Sequence, residues 1–402
     1  MNLGRILDLD AKATDTAVLP TRRRFSFSRL EGQPGRPFVA VLGPRGSGKT
    51  VMLRQLRAGM KDAIYVSADT LEPGDRLVEV VRALADRYRI RSFLIDEIHF
   101  LADYPRDLKE IYDFSELTVW FTSSVALSLH ATSWDLSRRV LVQKLLPFSF
   151  REYLTFSRGL DLAPLPLGQV LREEVPAEHV RTDQWFDAYL QGGLYPFMLE
   201  RGAGHEQFKT VLDTVVNRDI PAHDPSVTHD DLMKIAKLLR FVGKSPVDGI
   251  NYTSISSNVG ITRYMAEKYV EHLERSFILR RAFPAGTNVL KEPKIFMDPP
   301  YRLLYRPFEE CVGEVREDFF ALAMEQHGVP FSYAKTKRGV KTPDFVLDDG
   351  GRTVILEVGG KGKGRSQFKG LDYDTKIVLA HAAELVPVPG RRLPLHCIGF
   401  PP

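Results

Sequence analysis

The sequence predicts an α/β fold, a three-layer sandwich around a parallel sheet, with smaller helical and mixed domains after it. Three observations predict this. Apolar runs of strand length alternate with amphipathic stretches of helix length, a glycine-rich loop joins the first run to a helix, and a later run ends in two adjacent carboxylates. Strands covered on both faces read as unbroken apolar runs, the pattern of a parallel sheet between helical layers.

The first run is Pro37-Phe38-Val39-Ala40-Val41-Leu42, and Gly43-Pro44-Arg45-Gly46-Ser47-Gly48-Lys49-Thr50 follows before a helix that opens at Val51. Such a loop turns its backbone N–H groups around phosphates at a helix N-terminus. Lys49 is expected to reach the β and γ oxygens of ATP, and Thr50 to ligate magnesium. A second run, Ala63–Ser67, and an amphipathic helix from Leu77 to Tyr88 lead to Arg91-Ser92-Phe93-Leu94-Ile95-Asp96-Glu97. Here Asp96 is expected to hold the metal, directly or through water, and Glu97 to orient and polarise the attacking water. The next run, from Leu117, ends in Thr122-Ser123-Ser124. Thr122 and Ser123 stand where a γ-phosphate or water could be hydrogen-bonded, although a helix cap would use the same residues. His99 reads as packing or a cap.

With 402 residues, 44% of them hydrophobic and 26% charged, the chain calls for several domains. Only Cys311 and Cys397 are present, far apart, which supports neither a disulfide framework nor a zinc site. No apolar run approaches the roughly 20 residues that cross a bilayer, so the expectation is a cytoplasmic protein without membrane contact. The net charge of +4 permits nucleic-acid binding without arguing for it, while basic residues thicken at Arg22–Arg24 and between Lys335 and Lys369.

Beyond Asp230 the spacing of Leu232, Ile235, Leu238, Leu239 and Val242 predicts a helix with one apolar stripe. Residues 252–262 then read as a short helix, a glycine turn and a threonine cap, and the following helix buries Met265, Tyr269, Val270 and Leu273. Phe277–Phe283 reads as a strand that turns near Gly286-Thr287-Asn288. Further on, a helix around Glu314–Phe320 precedes Thr342-Pro343-Asp344-Phe345-Val346, a turn at Asp348-Asp349-Gly350-Gly351, and Val354-Ile355-Leu356-Glu357-Val358. A hairpin of these two strands sets Asp344 beside Glu357, where a pair of carboxylates could hold divalent cations that activate water. Ordinary polar strand ends would look the same. The proline-rich tail from Val386 to Pro402 reads as irregular.

Several of these stretches resemble the archaeal-type AAA+ ATPases: Asp135-Leu136-Ser137-Arg138-Arg139-Val140, then Leu146-Pro147-Phe148-Ser149-Phe150-Arg151-Glu152-Tyr153-Leu154, then Gly192-Gly193-Leu194-Tyr195-Pro196. The likeness spans much of residues 36–220. It implies that Arg138 or Arg139 acts as a finger on a neighbouring subunit's γ-phosphate, hence a homo-oligomer such as a hexameric ring. Where the family has Thr-Gly-Ser, Thr122-Ser123-Ser124 stands. The helices and strand of residues 252–283 are similar to a winged helix-turn-helix, which in that family follows the motor. The likeness implies phosphate contacts from Arg263, Lys268, Arg280 and Arg281. The order Glu317, Asp344, Glu357, Lys361 resembles the restriction-endonuclease-like PD-(D/E)xK nucleases, with Gln367 at a helical glutamine position. That implies Mg2+ or Mn2+ on Glu317, Asp344 and Glu357, but Lys361 falls two residues later than the family's lysine.

The expected organisation is therefore an N-terminal segment (1–35), a P-loop AAA+ ATPase core (36–150), a helical lid (151–222), a winged helix (223–285) and a nuclease-like domain (286–402). Two functions stay open. One is ATP hydrolysis driving movement or remodelling of duplex or branched DNA, with or without cleavage. The other is a nucleotide-controlled switch or defence sensor whose nuclease-like domain is inactive and serves protein or DNA binding.

Overall fold

The computed structural model describes residues 2–15, 17, 19–31, 38–126, 136–200, 202–285, 292–334, 344–360, 375–381 and 392–402. The chain forms two compact units, one of Met1–Pro147, Thr214–Thr228 and Arg275–Phe277, the other of Phe148–Asp213, His229–Glu274 and Ile278–Pro402.

The first unit is built on β1 (Phe38–Leu42), β2 (Ala63–Ser67), β3 (Ser92–Asp96), β4 (Thr118–Ser123) and β5 (Val140–Lys144). All are parallel, in the order β2-β3-β4-β1-β5. Alternate side chains of β1 enter different cores. Phe38, Ala40 and Leu42 pack with Val80, Leu84 and Leu108 from helices Leu77–Tyr88 and Tyr104–Phe114. Val39 and Val41 pack with Met52, Leu53 and Leu56 from helix Lys49–Ala58. A core on each face of one parallel sheet is the expected sandwich. The register pairs Leu42 with Ser123 and Ser67 with Asp96, which brings the carboxyl ends of β1, β3 and β4 to one sheet edge. Helix Leu3–Ala13 covers edge strand β2, where the Asp10 carboxylate accepts the Tyr65 N–H at 2.7 Å and two N–H groups of Arg57. An edge N–H that would otherwise face outward is thereby satisfied.

In the second unit, helix Phe150–Arg158 begins with a capping box: Ser149 Oγ accepts the Glu152 N–H at 3.1 Å and the Glu152 carboxylate accepts the Ser149 N–H. Part of the Pro-Phe-Ser-Phe-Arg-Glu-Tyr stretch is thus a helix start. Helices Tyr252–Val259 and Arg263–Arg275 meet at Gly260, and Thr262 Oγ1 accepts the Met265 N–H at 3.2 Å, as expected of a threonine cap. An antiparallel pair follows, β6 (Leu279–Ala282) and β7 (Lys294–Met297).

Strands β8 (Phe331–Tyr333), β9 (Phe345–Asp349), β10 (Arg352–Gly359), β11 (Thr375–Ala380) and β12 (Arg392–Pro394) form a sheet in the order β12-β11-β10-β9-β8. β9 is antiparallel to both neighbours, whereas β10, β11 and β12 run parallel. Helix Phe308–His327 lies beside it, with Phe320 stacked on Phe345 at 4.1 Å. Its Asp318 is fully buried with Arg302, whose Nη1 also donates to the Val242 carbonyl at 3.0 Å. The end of the tail is not irregular as the proline content suggested. After β12, Leu395–Gly399 form a buried 3-10 turn, and Phe400 meets the Phe150 ring edge-on at 5.6 Å. Alternating apolar residues outweigh the flanking prolines.

Candidate functional site

The loop after β1 is shaped by two glycines. A Cβ on Gly43 would stand 2.0 Å from the Leu145 carbonyl oxygen, and Gly48 enters helix Lys49–Ala58 with φ of 93°. Only glycine meets both demands without strain. Arg24 braces the loop from outside, donating to the Ser47 and Leu146 carbonyls at 2.6 and 2.9 Å. One of the basic residues near the N-terminus is thus structural.

Lys49 is 4% exposed, and its ammonium donates to the loop's own carbonyls at Gly43 and Pro44, 2.9 and 3.0 Å away. Burial lowers its pKa while Glu97 and Asp96 raise it, and the net shift is downward. Thr50 Oγ1 donates to Asp96 Oδ2 at 2.8 Å, Tyr65 O–H donates to the same oxygen at 2.7 Å, and Thr122 Oγ1 donates to Asp96 Oδ1. Three hydroxyls therefore fix one carboxylate. Glu97 sits in the left-handed region with φ of 52°; its N–H donates to Thr122 Oγ1 at 2.9 Å and its Oε2 accepts the Ser124 N–H at 3.0 Å. A non-glycine residue held at positive φ where a β-strand meets the site is stored strain of the kind functional sites keep. Ser123 Oγ donates to the Val125 carbonyl and lies 3.1 Å from His99 Nδ1.

Lys49, Thr50, Asp96, Glu97, Thr122 and Ser123 thus meet at the carboxyl ends of β1, β3 and β4. Thr50 and Asp96 offer hard oxygen donors of the type magnesium takes, and Lys49 is a buried cation where the glycine-shaped loop enters helix Lys49–Ala58, so ATP with magnesium fits these residues. Tyr65, His99 and Asp219 were not foreseen as participants. His99, read as packing, stands 3.4 Å from Glu97 Oε2. Asp219, fully buried, accepts two N–H bonds from Arg45 at 2.5 and 2.6 Å. Nothing local in the sequence marks it.

The arginines divide differently. Arg139 is bound to Asp113 at 2.9 Å and holds its carboxyl below the ordinary range, while Arg138 is exposed. Both precede β5 at the end of the sheet opposite the phosphate loop, about 16 Å away for a five-residue strand.

In the second unit, Arg263 is exposed on its helix with Tyr264, which is 75% exposed, beside it; Lys268 is half-buried. Arg263 pairs with Glu292 at 2.9 Å. Arg280 is not presented at a surface as a wing contact would be. It is buried between Asp298 and Glu325, while Arg281 pairs with Glu274 and donates through Nη1 to the Tyr252 hydroxyl oxygen at 2.9 Å. Two inward-facing carboxylates and one flanking glutamate outweigh the pattern of an outward basic strand.

Asp344 Oδ2 accepts the Val358 N–H at 2.8 Å at the mouth of the β9–β10 pair, and Glu357 is fully buried on β10. Burial raises the Glu317 carboxyl well above its ordinary range; Lys294 opposes the shift and Asp344 adds to it. Among the described residues no group of three or more His, Cys, Asp or Glu side chains is gathered as metal ligands are. Lys361 and Gln367 lie outside the described residues. No described helix is long and apolar enough to cross a membrane.

Comparison with known proteins matches residues 35–154 to the AAA domain and residues 183–298 to a domain of unknown function. An uncharacterized protein of Methanocaldococcus jannaschii is 25% identical over 378 residues, covering 84% of this chain and 78% of the relative. Among solved structures, a Walker-type ATPase of Pyrococcus abyssi aligns over 73% of this chain and 99% of its own, with 17% identity and a TM-score of 0.43. The Orc1 protein of Aeropyrum pernix, solved in complex with DNA, aligns over 75% and 97%, with 14% identity and a TM-score of 0.34. The first unit carries an AAA-type P-loop ATPase domain.

Proposed function

We propose that the chain is an ATP-driven DNA-processing motor, hydrolysing ATP with magnesium at the edge of the parallel sheet and binding duplex or branched DNA through its second unit. The observation that carries the hydrolytic half is the chain of contacts from Thr50 through Asp96 and Thr122 to Glu97. Bound magnesium supplies charge neutralisation on the phosphates. Thr50 and Asp96 would hold it, Lys49 would exchange its two carbonyl partners for β and γ oxygens, and Glu97 would orient the attacking water and take up its proton. Arg138, exposed and remote from its own loop, is the arginine available to the site of a neighbouring copy in a homo-oligomeric ring.

The DNA half rests on the helices Tyr252–Val259 and Arg263–Arg275 with the β6–β7 pair, read as a winged helix. Arg263 and Tyr264 are exposed on it, with Lys268 half-buried on the same helix. Cationic side chains there would neutralise phosphates, and an exposed aromatic ring would stack or pack against the backbone. The sheet β8–β12 is read as nuclease-like in fold. A second reading, a nucleotide-controlled switch with a non-cutting C-terminal domain, is favoured by the spacing Glu357-Val358-Gly359-Gly360-Lys361, which sets the lysine two residues later than the nuclease pattern has it.

Purified protein with ATP, magnesium or manganese, and single-stranded, duplex, forked and four-way DNAs tests both. The motor reading requires binding that weakens steeply with salt and DNA-stimulated turnover. ATP turnover with neither binding nor stimulation at low salt would favour the switch.

A further inference from the structure

Asp219 lies far along the chain from the phosphate loop, in Thr214–Thr228, yet this stretch belongs to the first unit. Its carboxylate is fully buried and joins three parts of the ATP site. Arg45, in the phosphate loop, donates to both Asp219 oxygens; Ser124, just past β4, donates its hydroxyl at 3.3 Å; and His99, just past β3, holds Nε2 at 3.9 Å. Burial opposes ionisation of Asp219, but the two Arg45 hydrogen bonds and the neighbouring His99 outweigh it and keep its pKa below the ordinary value. Arg45 Nη1 then faces Glu97 Oε1 at 3.9 Å, while Ser124 N–H holds the other Glu97 oxygen. Asp219, Arg45, Glu97 and Ser124 form a closed ring.

An arginine in a phosphate loop is a hazard unless restrained. Its charge opposes protonation of Lys49, and a free guanidinium forms bidentate pairs with phosphate or carboxylate alike. Asp219 occupies the guanidinium edge that would otherwise reach either one.

We propose that Asp219 is a positioning residue for ATP hydrolysis: by fixing Arg45 it holds the Glu97 carboxylate where attacking water is activated, without itself touching nucleotide. This rests on the ATPase reading. Asp219→Asn keeps the shape and removes the charge. It should lower kcat about 30-fold and leave KM for ATP within about threefold, because the loss concerns an interaction of the transition state and not of binding. Arg45→Gln should lower kcat similarly, and the double variant should be no worse than the poorer single one, since both act through one arrangement.

A lower melting temperature with unchanged kcat in the folded fraction would show a merely structural residue and overturn the proposal. So would losses that multiply in the double variant, or a loss confined to KM. If Asp219→Asn does not fold, Ser124→Ala retains both charges and should lower kcat about threefold at constant KM; unchanged turnover there overturns it too. A parent protein that binds no fluorescent ATP analogue and hydrolyses no ATP fails the ATPase reading itself, whereas an active parent with an equally active Asp219→Asn fails this proposal alone.

Discussion

Two groups of carboxylates in this molecule look alike in sequence and differ in structure. Asp96 and Glu97 end a strand whose neighbours in the parallel sheet end level with it, so Thr50, Tyr65, Thr122 and Ser124 supply hydroxyl and amide donors at short range. Glu317, Asp344 and Glu357 come from a helix, a strand mouth and a strand interior, and burial dominates at Glu317. Donors directed at a carboxylate fix its place, whereas burial raises the cost of its charge. A pair of acidic residues near a strand becomes a site only when its neighbours are in register.

The comparison breaks most directly at Glu97. Glu97→Gln should keep ATP binding and lose on the order of 100-fold or more in turnover, as removal of a general base does; single-turnover hydrolysis at the parent rate would remove Glu97 from the mechanism. Lys49→Ala should abolish measurable binding of the fluorescent ATP analogue, separating cradle from chemistry.

A smaller effect is expected at the donors. Thr122→Val deletes the hydroxyl shared by Asp96 and the Glu97 N–H, and a bond to a charged group contributes about 1.5–3 kcal/mol. Turnover should fall roughly tenfold or more, and magnesium titration would show whether Asp96 has also weakened as a ligand. In the second unit, Asp344→Ala should leave ATP turnover within about twofold and end any manganese-dependent DNA cutting; cutting that survives would divorce Asp344 from it.

The smallest effect concerns pH. Burial pushes His396 down to about 4, its Nε2 lying 3.1 Å from the His179 carbonyl. The unfolded chain protonates first, near pH 6.5, so this contribution is complete above that pH and is lost as pH falls from about 6.5 to 4, by up to about 3 kcal/mol. Melting curves between pH 7.5 and 5 should show the loss. A pH-independent melt would mean that the buried ring is not a stability determinant.

Much of the first unit was legible because its physics is local. β1 to β4 are continuous apolar runs, and the phosphate loop and its acidic partner sit where each strand must end. β5 was missed because an edge strand exposes Leu141 and Val142 and mixes in Gln143 and Lys144, so its period is hidden. Asp219 was invisible because nothing local marks a carboxylate whose partner is Arg45, far back in the chain. Arg280 misled for the reverse reason: two adjacent arginines on a strand look like a basic surface until Asp298 and Glu325 fold against one of them. The aromatic tail end was masked by its prolines.

The first unit's three-part composition also governs its birth. Residues 1–147 hold the whole parallel sheet, but the stretch bearing Asp219 is made only after Phe148–Asp213 of the second unit, and the closing piece at Arg275–Phe277 only after His229–Glu274 as well. At ~5–20 residues per second that interval is on the order of ten seconds. During it the growing chain holds Arg45 before its partner Asp219 has been made.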